Sequence, residues 1–207
     1  MRKTCRAVAI KGIEELAPDV YLIAGEDFCS NSYLLVDGPE ALLIDAGSGS
    51  TVPALDLEFP ETSIRTVLLT HGHADHVHGM RCISADGLLH ERDLAALAEL
   101  NSFVPGFKAP DNLYALEAGE KGKLDASRIP FGKFSFTVIE APGHTPGSVA
   151  FFEQKTKLLF SGDTLFAHGS VGRTDLTGGD KCLLEESVKK LENVKRSLLC
   201  PGHGAVE

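Results

Sequence analysis

The chain has 207 residues, of which 43% are apolar, and carries a formal net charge of -9. Its mean hydropathy of +0.01 is ordinary for a globular protein, and the length predicts one domain over residues 1–207. The negative charge argues against a nucleic-acid partner, while the lack of a ~20-residue apolar stretch or a signal-type leader argues against membrane insertion or secretion and favours the cytoplasm.

Apolar runs in the first half predict three β-strands, at residues 20–23, 32–36 and 41–44. The second and third strands are predicted to form a hairpin, because the residues 37–40 between them have turn composition. Residues 149–152 and 158–160 predict a second hairpin. Both hairpins end near an acid, Asp45 and Asp163, and this weak internal repeat suggests two similar halves that face each other.

Three segments predict helices, at residues 50–57, 91–100 and 181–191. In the second and third of these segments, apolar residues recur at three- and four-residue spacing, which is typical of a helix with one buried face. Residues 101–133 are rich in Gly, Pro and charge and are long for a plain connection. They predict either a lid or substrate-binding insert, or a packed surface excursion.

The most distinctive local pattern follows the apolar run at residues 67–70 and reads His71-Gly72-His73-Ala74-Asp75-His76. Imidazole and carboxylate are the ligand types that zinc, iron and manganese accept. The spacing is not helical, because paired ligands on a helix lie three or four residues apart. In an extended chain, His71, His73 and Asp75 point one way and His76 the other, so that one loop is able to serve two neighbouring metal ions.

Three later segments repeat the order of an apolar run, a glycine-containing turn and a ligand-type side chain, and they end at His144, Asp163 and His203. Such runs predict buried strands, and glycine lets the backbone turn sharply where a strand ends. Four strands that deliver His or Asp from the same kind of end predict one convergent site. Seven separately buried polar residues are disfavoured, because buried polar groups at that density need a common partner.

These residues resemble, in order and in context, the motifs of the metallo-β-lactamase superfamily, and the resemblance extends from about residue 20 to residue 203. Residues 161–166 (SGDTLF) and 172–176 (GRTDL) are similar to the glyoxalase II-like and persulfide dioxygenase-like branch rather than to the antibiotic-hydrolysing branch. The resemblance implies an α/β fold, a four-layer αββα sandwich in which the metal site lies at one edge between the sheets.

The resemblance also implies how two divalent ions divide the ligands. His71, His73 and His144 would hold the first ion, Asp75, His76 and His203 the second, and Asp163 would bridge them. A hydroxide between the ions is then the nucleophile. Asp75 would orient this hydroxide or carry a proton. The first ion polarises a carbonyl and the second steadies a leaving thiolate. Zinc is the leading metal, with iron or manganese as alternatives.

Other residues carry weaker predictions. Arg173 is predicted either to bind an anionic substrate tail, such as a glutathione carboxylate, or to pair with Asp175. Asp45 either holds a ligand imidazole through its second ring nitrogen or has a turn role. Five cysteines without a C-x-x-C pair favour reduced thiols, and Cys200 is interpreted as a buried strand residue rather than a ligand. The remaining histidines are treated as ordinary loop or helix residues: His78, His90 and His168.

The leading hypothesis is a dinuclear metallohydrolase, a glyoxalase II-like thioesterase that acts on a small thioester such as a hydroxyacyl-glutathione. The sequence ends four residues after His203, without the further helical domain of full-length glyoxalase II, which leaves the thiol open. An alternative is a mononuclear iron persulfide dioxygenase, in which His71, His144 and Asp163 would hold one iron. A third is a non-catalytic, metal-stabilised binding protein. The predicted partner is a small-molecule substrate, and a homodimer is compatible with the sequence.

Overall fold

The computed structural model describes residues 12–26, 29–116 and 127–207, and two β-sheets dominate it. The first sheet has seven strands in sequential order: β1 (Ile13–Ala17), β2 (Val20–Ile23), β3 (Ser32–Asp37), β4 (Glu40–Ile44), β5 (Ser63–Leu68), β6 (Asp86–Leu89) and β7 (Leu113–Ala115). The second sheet has five strands, in the order β12-β11-β10-β9-β8: β8 (Arg128–Phe131), β9 (Phe134–Glu140), β10 (Val149–Glu153), β11 (Leu158–Gly162) and β12 (Leu198–Pro201).

Strand direction brings several strand ends to one edge of the sandwich. From β4 to β7 the neighbouring strands are parallel, whereas β1 to β4 are antiparallel. In the second sheet β9, β10 and β11 alternate in direction, so that β9 and β11 run the same way, and β12 is parallel to β11. The carboxyl ends of β9, β11 and β12 therefore share one edge of the second sheet.

Within the described residues, five helices complete the fold: α1 (Val52–Glu58), α2 (Ala74–Val77), α3 (Glu91–Ala95), α4 (Leu97–Leu100) and α5 (Lys181–Glu192). Two short 3₁₀ segments lie at His78–Cys82 and Ala167–Gly169. The Asp180 side chain begins α5 by accepting a hydrogen bond from Leu183 N at 3.0 Å, which satisfies one of the free donors of the first turn. No helix among the described residues is long and apolar enough to cross a membrane.

Three apolar clusters show how the layers stack. The cluster between the sheets contains Tyr33, Phe136, Phe151 and Phe160, all of them fully buried. Because side chains alternate across a strand, the next residues of the same strands face outward. Leu34 and its neighbours pack against α1 and α4, and Leu159 and its neighbours pack against α5. The result is the four-layer αββα sandwich predicted above, which confirms the fold class.

Most predicted elements are present within a residue or two of their expected bounds. The helix predicted at residues 91–100 is two short helices, because Ala96 leaves helical geometry with ψ near 9°. Of the long segment at 101–133, residues 117–126 lie outside the described residues.

The cysteines differ in part from the expectation of reduced thiols. Cys29, Cys182 and Cys200 are free, but Cys82 is disulfide-bonded, so the expectation is wrong there. Cysteine count and spacing in the sequence do not show which cysteines lie close together in the fold.

Candidate metal centre

All seven predicted ligands lie together at the edge where four strands end. The loop with His71, His73, Asp75 and His76 follows β5, and His144 follows β9. Asp163 comes directly after β11, and His203 comes two residues after β12. The predicted convergence of four strand ends is therefore what the structure shows.

One group of ligand atoms belongs to His71, His73 and His144, whose nitrogens lie within 4.8 Å of one another. His73 Nδ1 lies 2.9 Å from His144 Nε2. The ring of His71 stands nearly perpendicular to both neighbouring rings, with centroid distances of 4.9 Å to His73 and 4.7 Å to His144. Three buried imidazoles that point at one spot form a three-nitrogen site of the kind that holds a divalent ion.

A second group contains Asp75, His76 and His203. His203 Nε2 lies 2.9 Å from Asp75 Oδ2, and His76 Nε2 lies 3.7 Å from the same oxygen. Asp163 lies between the two groups: its Oδ1 is 3.3 Å from His76 Nε2, and its Oδ2 is 3.7 Å from His144 Nε2 and 3.5 Å from His203 Nε2. One carboxylate thus faces ligands of both groups.

Several buried atoms of this cluster have no hydrogen-bond partner in the described structure, among them His71 Nε2, His76 Nε2 and Asp163 Oδ1. Buried polar groups almost always have a partner, because leaving one unsatisfied costs its full desolvation energy. Imidazole nitrogen and carboxylate oxygen are ligands of zinc, iron and manganese. The residues therefore fit divalent metal ions.

The local electrostatics keep most of these side chains in the protonation states that metals bind. Burial lowers the pKa of His71 well below its ordinary value and that of His73 to about 4, so both imidazoles keep a free lone pair at neutral pH. For Asp75 and Asp163, burial alone would raise the pKa, but the neighbouring histidines outweigh it and hold the pKa of both below the usual range. His76 differs, because the carboxylates of Asp45, Asp163 and Asp75 outweigh burial and raise its pKa well above the ordinary value. The site consequently offers neutral nitrogen from His71 and His73 and anionic oxygen from both carboxylates, and metal binding at His76 would release a proton.

The histidine-rich loop is not extended throughout, which corrects part of the sequence analysis. His73 has extended backbone (φ -69°, ψ 148°) and immediately precedes α2, which contains Asp75 and His76. The alternation of side chains expected for an extended chain therefore stops at His73. The single helical turn carries His76 into the interior, and its imidazole is fully buried.

Asp45 holds His76 from behind, as one of the two sequence interpretations predicted. Its Oδ2 accepts a hydrogen bond from His76 Nδ1 at 2.8 Å, and its two oxygens accept from Thr70 N and Thr70 Oγ1, each at 2.8 Å. His144 is fixed in the same manner, because its Nδ1 donates to Arg173 O at 2.8 Å. Such contacts set the tautomer and direct the other nitrogen, Nε2, toward the centre.

Two residues of the centre were missed by the sequence analysis. Asn31 brackets His203, since its Nδ2 donates to Pro201 O at 3.1 Å and to Gly204 O at 3.0 Å. Asp93 in α3 is fully buried and reaches the loop of His71 and His73. The sequence feature that points to burial of Asp93 is its spacing from two leucines. These follow it by four and seven residues, so an acid shares the apolar face of the helical pattern.

A cavity of about 610 Å³ opens onto the ligands. Apolar side chains form much of its wall: Phe103, Val104, Phe166, Val171 and Leu176. Arg173 also borders it, but it is paired with Asp175, with Nε donating to Oδ1 at 2.7 Å and Nη2 to Oδ2 at 2.6 Å. Of the two predictions for Arg173, the structure contains the ion pair.

Cys200 and the remaining histidines lie outside the ligand groups found among the described residues. Cys200 is packed between the sheets, and burial raises the pKa of its thiol to about 12, which agrees with its interpretation as a core residue. His90 caps α3 by accepting from Arg92 N at 3.1 Å. His78 and His168 contact Arg81 and Glu207 near the surface.

Comparison with known proteins agrees with this geometry. Residues 25–203 match the metallo-β-lactamase superfamily. The chain is 30% identical over 201 residues to the hydroxyacylglutathione hydrolase GloC of Haemophilus influenzae, covering 90% of this chain and 91% of that protein. Among solved structures, it is similar to the B3 metallo-β-lactamase BLEG-1 (33% identity, TM-score 0.72, 90% and 91% covered) and to TTHA1623 in a di-iron-bound form (30% identity, TM-score 0.70, 90% and 93% covered).

Proposed function

The chain belongs to the metallo-β-lactamase superfamily, and from this premise we propose that it is a dinuclear metallohydrolase that cleaves small thioesters. The observation that carries the proposal is the position of Asp163 between two three-ligand groups. Two divalent ions a few ångströms apart repel each other, and a shared carboxylate offsets that repulsion. A single iron held by His71, His144 and Asp163 would give no role to the second group, Asp75, His76 and His203.

We assign the first ion to His71, His73 and His144, the second to Asp75, His76 and His203, and the bridging position to Asp163. When bound, the two ions would supply Lewis acidity toward the thioester carbonyl and lower the pKa of a coordinated water toward about 7. Zinc is the leading candidate. Iron is the main alternative, since a structure 30% identical to this chain holds two irons.

The chain's own residues supply orientation, proton handling and an apolar wall. Asp75 Oδ2 faces both His76 and His203, and its lowered pKa keeps it ionised at neutral pH. A carboxylate in this position can orient a water molecule and accept a proton. The apolar wall that includes Phe103 and Val171 offers contact surface for the apolar atoms of a substrate beside the ligands.

The choice of a thioester is supported by the similarity to GloC, a hydroxyacylglutathione hydrolase. The ion pair of Arg173 with Asp175 is exposed, with 61% and 67% of the two side chains accessible. Exposed pairs of this kind contribute little to stability, so Arg173 is free to exchange Asp175 for a substrate carboxylate. S-lactoylglutathione is therefore the first substrate to test.

The test combines metal content with hydrolysis. Protein purified without added metal or chelator should contain about two equivalents of zinc, iron or manganese per chain and should hydrolyse S-lactoylglutathione. Asp75→Ala should lower kcat on the order of 10²-fold or more, as expected for loss of a group that handles a proton. Asp86→Ala is the matched control, because Asp86 is exposed at the start of β6, and it should retain the activity of the unmodified protein.

Three results would contradict the proposal. The first is full thioesterase activity in Asp75→Ala. The second is one equivalent of iron together with oxygen consumption on a glutathione persulfide, which would identify a dioxygenase. The third is hydrolysis of a β-lactam without hydrolysis of any thioester, which would place the activity with that of BLEG-1.

A further inference from the structure

We propose that Asp93 is a positioning residue that sets the distance between the two loops that carry the first three-imidazole group. It touches none of these imidazoles and acts through the backbone beside them. The proposal rests on the metal centre proposed above, but it does not depend on which bond the protein cleaves.

The contacts of Asp93 join two loops that are far apart in sequence. Its Oδ2 accepts from Gly72 N at 2.8 Å and from Thr145 Oγ1 at 2.6 Å, and its Oδ1 accepts from Gly147 N at 2.6 Å. Gly72 lies between His71 and His73 on the first sheet's side, and Thr145 directly follows His144 on the second sheet's side. One buried carboxylate thus connects the backbone on both sides of the group.

A glycine stands where the carboxylate meets each loop, and the space for a side chain is tight at Gly72 and absent at Gly147. A Cβ at Gly147 would lie 2.7 Å from Asp93 Oδ1, and a Cβ at Gly72 would lie 3.2 Å from Asp93 Cβ and 3.0 Å from Leu100 Cδ1. On its carbonyl side Gly72 is also fixed, because Asn101 Nδ2 donates to Gly72 O at 2.8 Å. Both polar groups of Gly72 are therefore tied to the α3–α4 region.

The distance between these two loops matters because the imidazoles that they carry come close together. His73 Nδ1 and His144 Nε2 lie only 2.9 Å apart, although they belong to loops of different sheets. Without the carboxylate, Gly72 N and Gly147 N would each be buried with no acceptor, and the loops would separate to reach water. Ligand nitrogens that are no longer held at one spacing bind an ion less tightly, typically 10- to 100-fold for residues that orient ligands.

The test is Asp93→Asn, which keeps the shape but replaces one acceptor oxygen with an NH₂ group that cannot accept. Metal content after dialysis against a weak chelator should fall from about two equivalents of zinc to about one. In a zinc titration against a chromophoric chelator, the affinity of one ion should fall about 10- to 100-fold, as for other ligand-orienting residues, while the other ion stays bound. Neither readout requires enzyme activity.

Glu153→Gln is the matched control. Glu153 is also fully buried and also accepts several hydrogen bonds, from Ser135 N at 3.1 Å, Lys155 N at 2.9 Å and Thr156 N at 2.6 Å, but its partners lie at the start of β9 and in the turn after β10, away from the ligands. This variant should lose stability and still hold two zinc ions. Equal metal loss in both variants would reduce the effect to general destabilisation and overturn the proposal, as would an unchanged zinc titration in Asp93→Asn.

A second variant keeps the proposal falsifiable if Asp93→Asn does not fold. Thr145→Val removes one donor to Asp93 with almost no change in shape, and it should weaken the same ion by a smaller factor. Unchanged zinc affinity in Thr145→Val would then overturn the proposal. Two ions in the unmodified protein and one in Asp93→Asn would support the role of Asp93 even if no thioester were cleaved, a result that would contradict the proposed function alone.

Discussion

Among single residues, Asp45 shows how much of the centre depends on side chains that need not touch a metal. It has a positive φ of 57°, which aspartate tolerates better than most residues. This backbone conformation directs one carboxylate at both Thr70, which precedes the ligand loop, and His76, which is the last predicted ligand in that loop. Its contacts account for the fixed orientation of His76.

The residue-scale prediction is that Asp45→Asn weakens metal binding about 10- to 100-fold, because the new NH₂ group would face a donor at either position: Thr70 N at the place of Oδ1, or His76 Nδ1 at the place of Oδ2. Asp19→Asn is the matched control: Asp19 also has a positive φ, of 62°, but it is half exposed and pairs with Lys133. Zinc titration measures both. Equal affinities in the two variants would show that Asp45 has no part in holding His76 for the metal.

Among the structural elements, the turns after the strands place the ligands, and the turn after β12 is the most crowded. A Cβ on Gly202 would collide with Asp163 Oδ1 and lie 2.7 Å from His76 Cε1. Glycine is thus required there for space, not for its backbone angle. Gly204, two residues later, differs in kind: it has a φ of +78° and open space around it.

These two glycines give the element-scale prediction. Gly202→Ala should push Asp163 from its position between the ligand groups and lower the metal content below two equivalents. Gly204→Ala should cost about 1–2 kcal/mol of stability from backbone strain and leave the metal content unchanged. Metal analysis and thermal unfolding of both variants separate the two effects. Retention of both ions in Gly202→Ala would contradict a bridging role for Asp163.

The elements also show what could be predicted from the sequence. Central strands such as β3 and β11 were predicted, because burial on both faces requires a continuous apolar run. The edge strands β1, β7 and β8 were missed, since they are partly exposed and mix polar with apolar residues. The central strand β6 was missed as well, because it is only four residues long and begins with Asp and Gly. The break between α3 and α4 could not be predicted, because no glycine or proline lies there.

The same contrast holds within the candidate site. The seven candidate ligands were predicted because each follows an apolar run and a turn, a pattern that lies within a few residues of sequence. Asp93 and Asn31 were missed because their partners are distant in sequence: Asp93 reaches 54 residues to Gly147, and Asn31 reaches 170 residues to Pro201. Only the fold brings such pairs together.

In the molecule as a whole, each proposed ion draws ligands from both sheets. The first sheet supplies the loop from His71 to His76, and the second supplies His144, Asp163 and His203. Bound ions would therefore link the two sheets at the edge where their strands end. Without them, buried atoms such as His71 Nε2, His76 Nε2 and Asp163 Oδ1 have no partner in the described structure.

Removal of metal should accordingly destabilise the whole fold. A ligand present at a thousandfold excess over its Kd stabilises the native state by about 4 kcal/mol. For a chain of this length, each kcal/mol corresponds to roughly 2–4 °C in Tm, so chelation should lower Tm by about 8–16 °C for each such ion lost. Calorimetry before and after dialysis against a strong chelator measures this, with zinc re-addition as the control. An unchanged Tm would show that the ions do not link the sheets.

The division of ligands between the sheets also determines when metal binds relative to folding. Until the second sheet has docked, the loop from His71 to His76 lacks His144 and Asp163, and His203 is the last of the seven to be synthesised. The first proposed coordination set is incomplete until His144 and Asp163 have been synthesised and docked, and the second until His203 follows. Metal loading is thus expected to follow folding, so the identity of the ion is decided by whichever metal the cell offers to the finished protein.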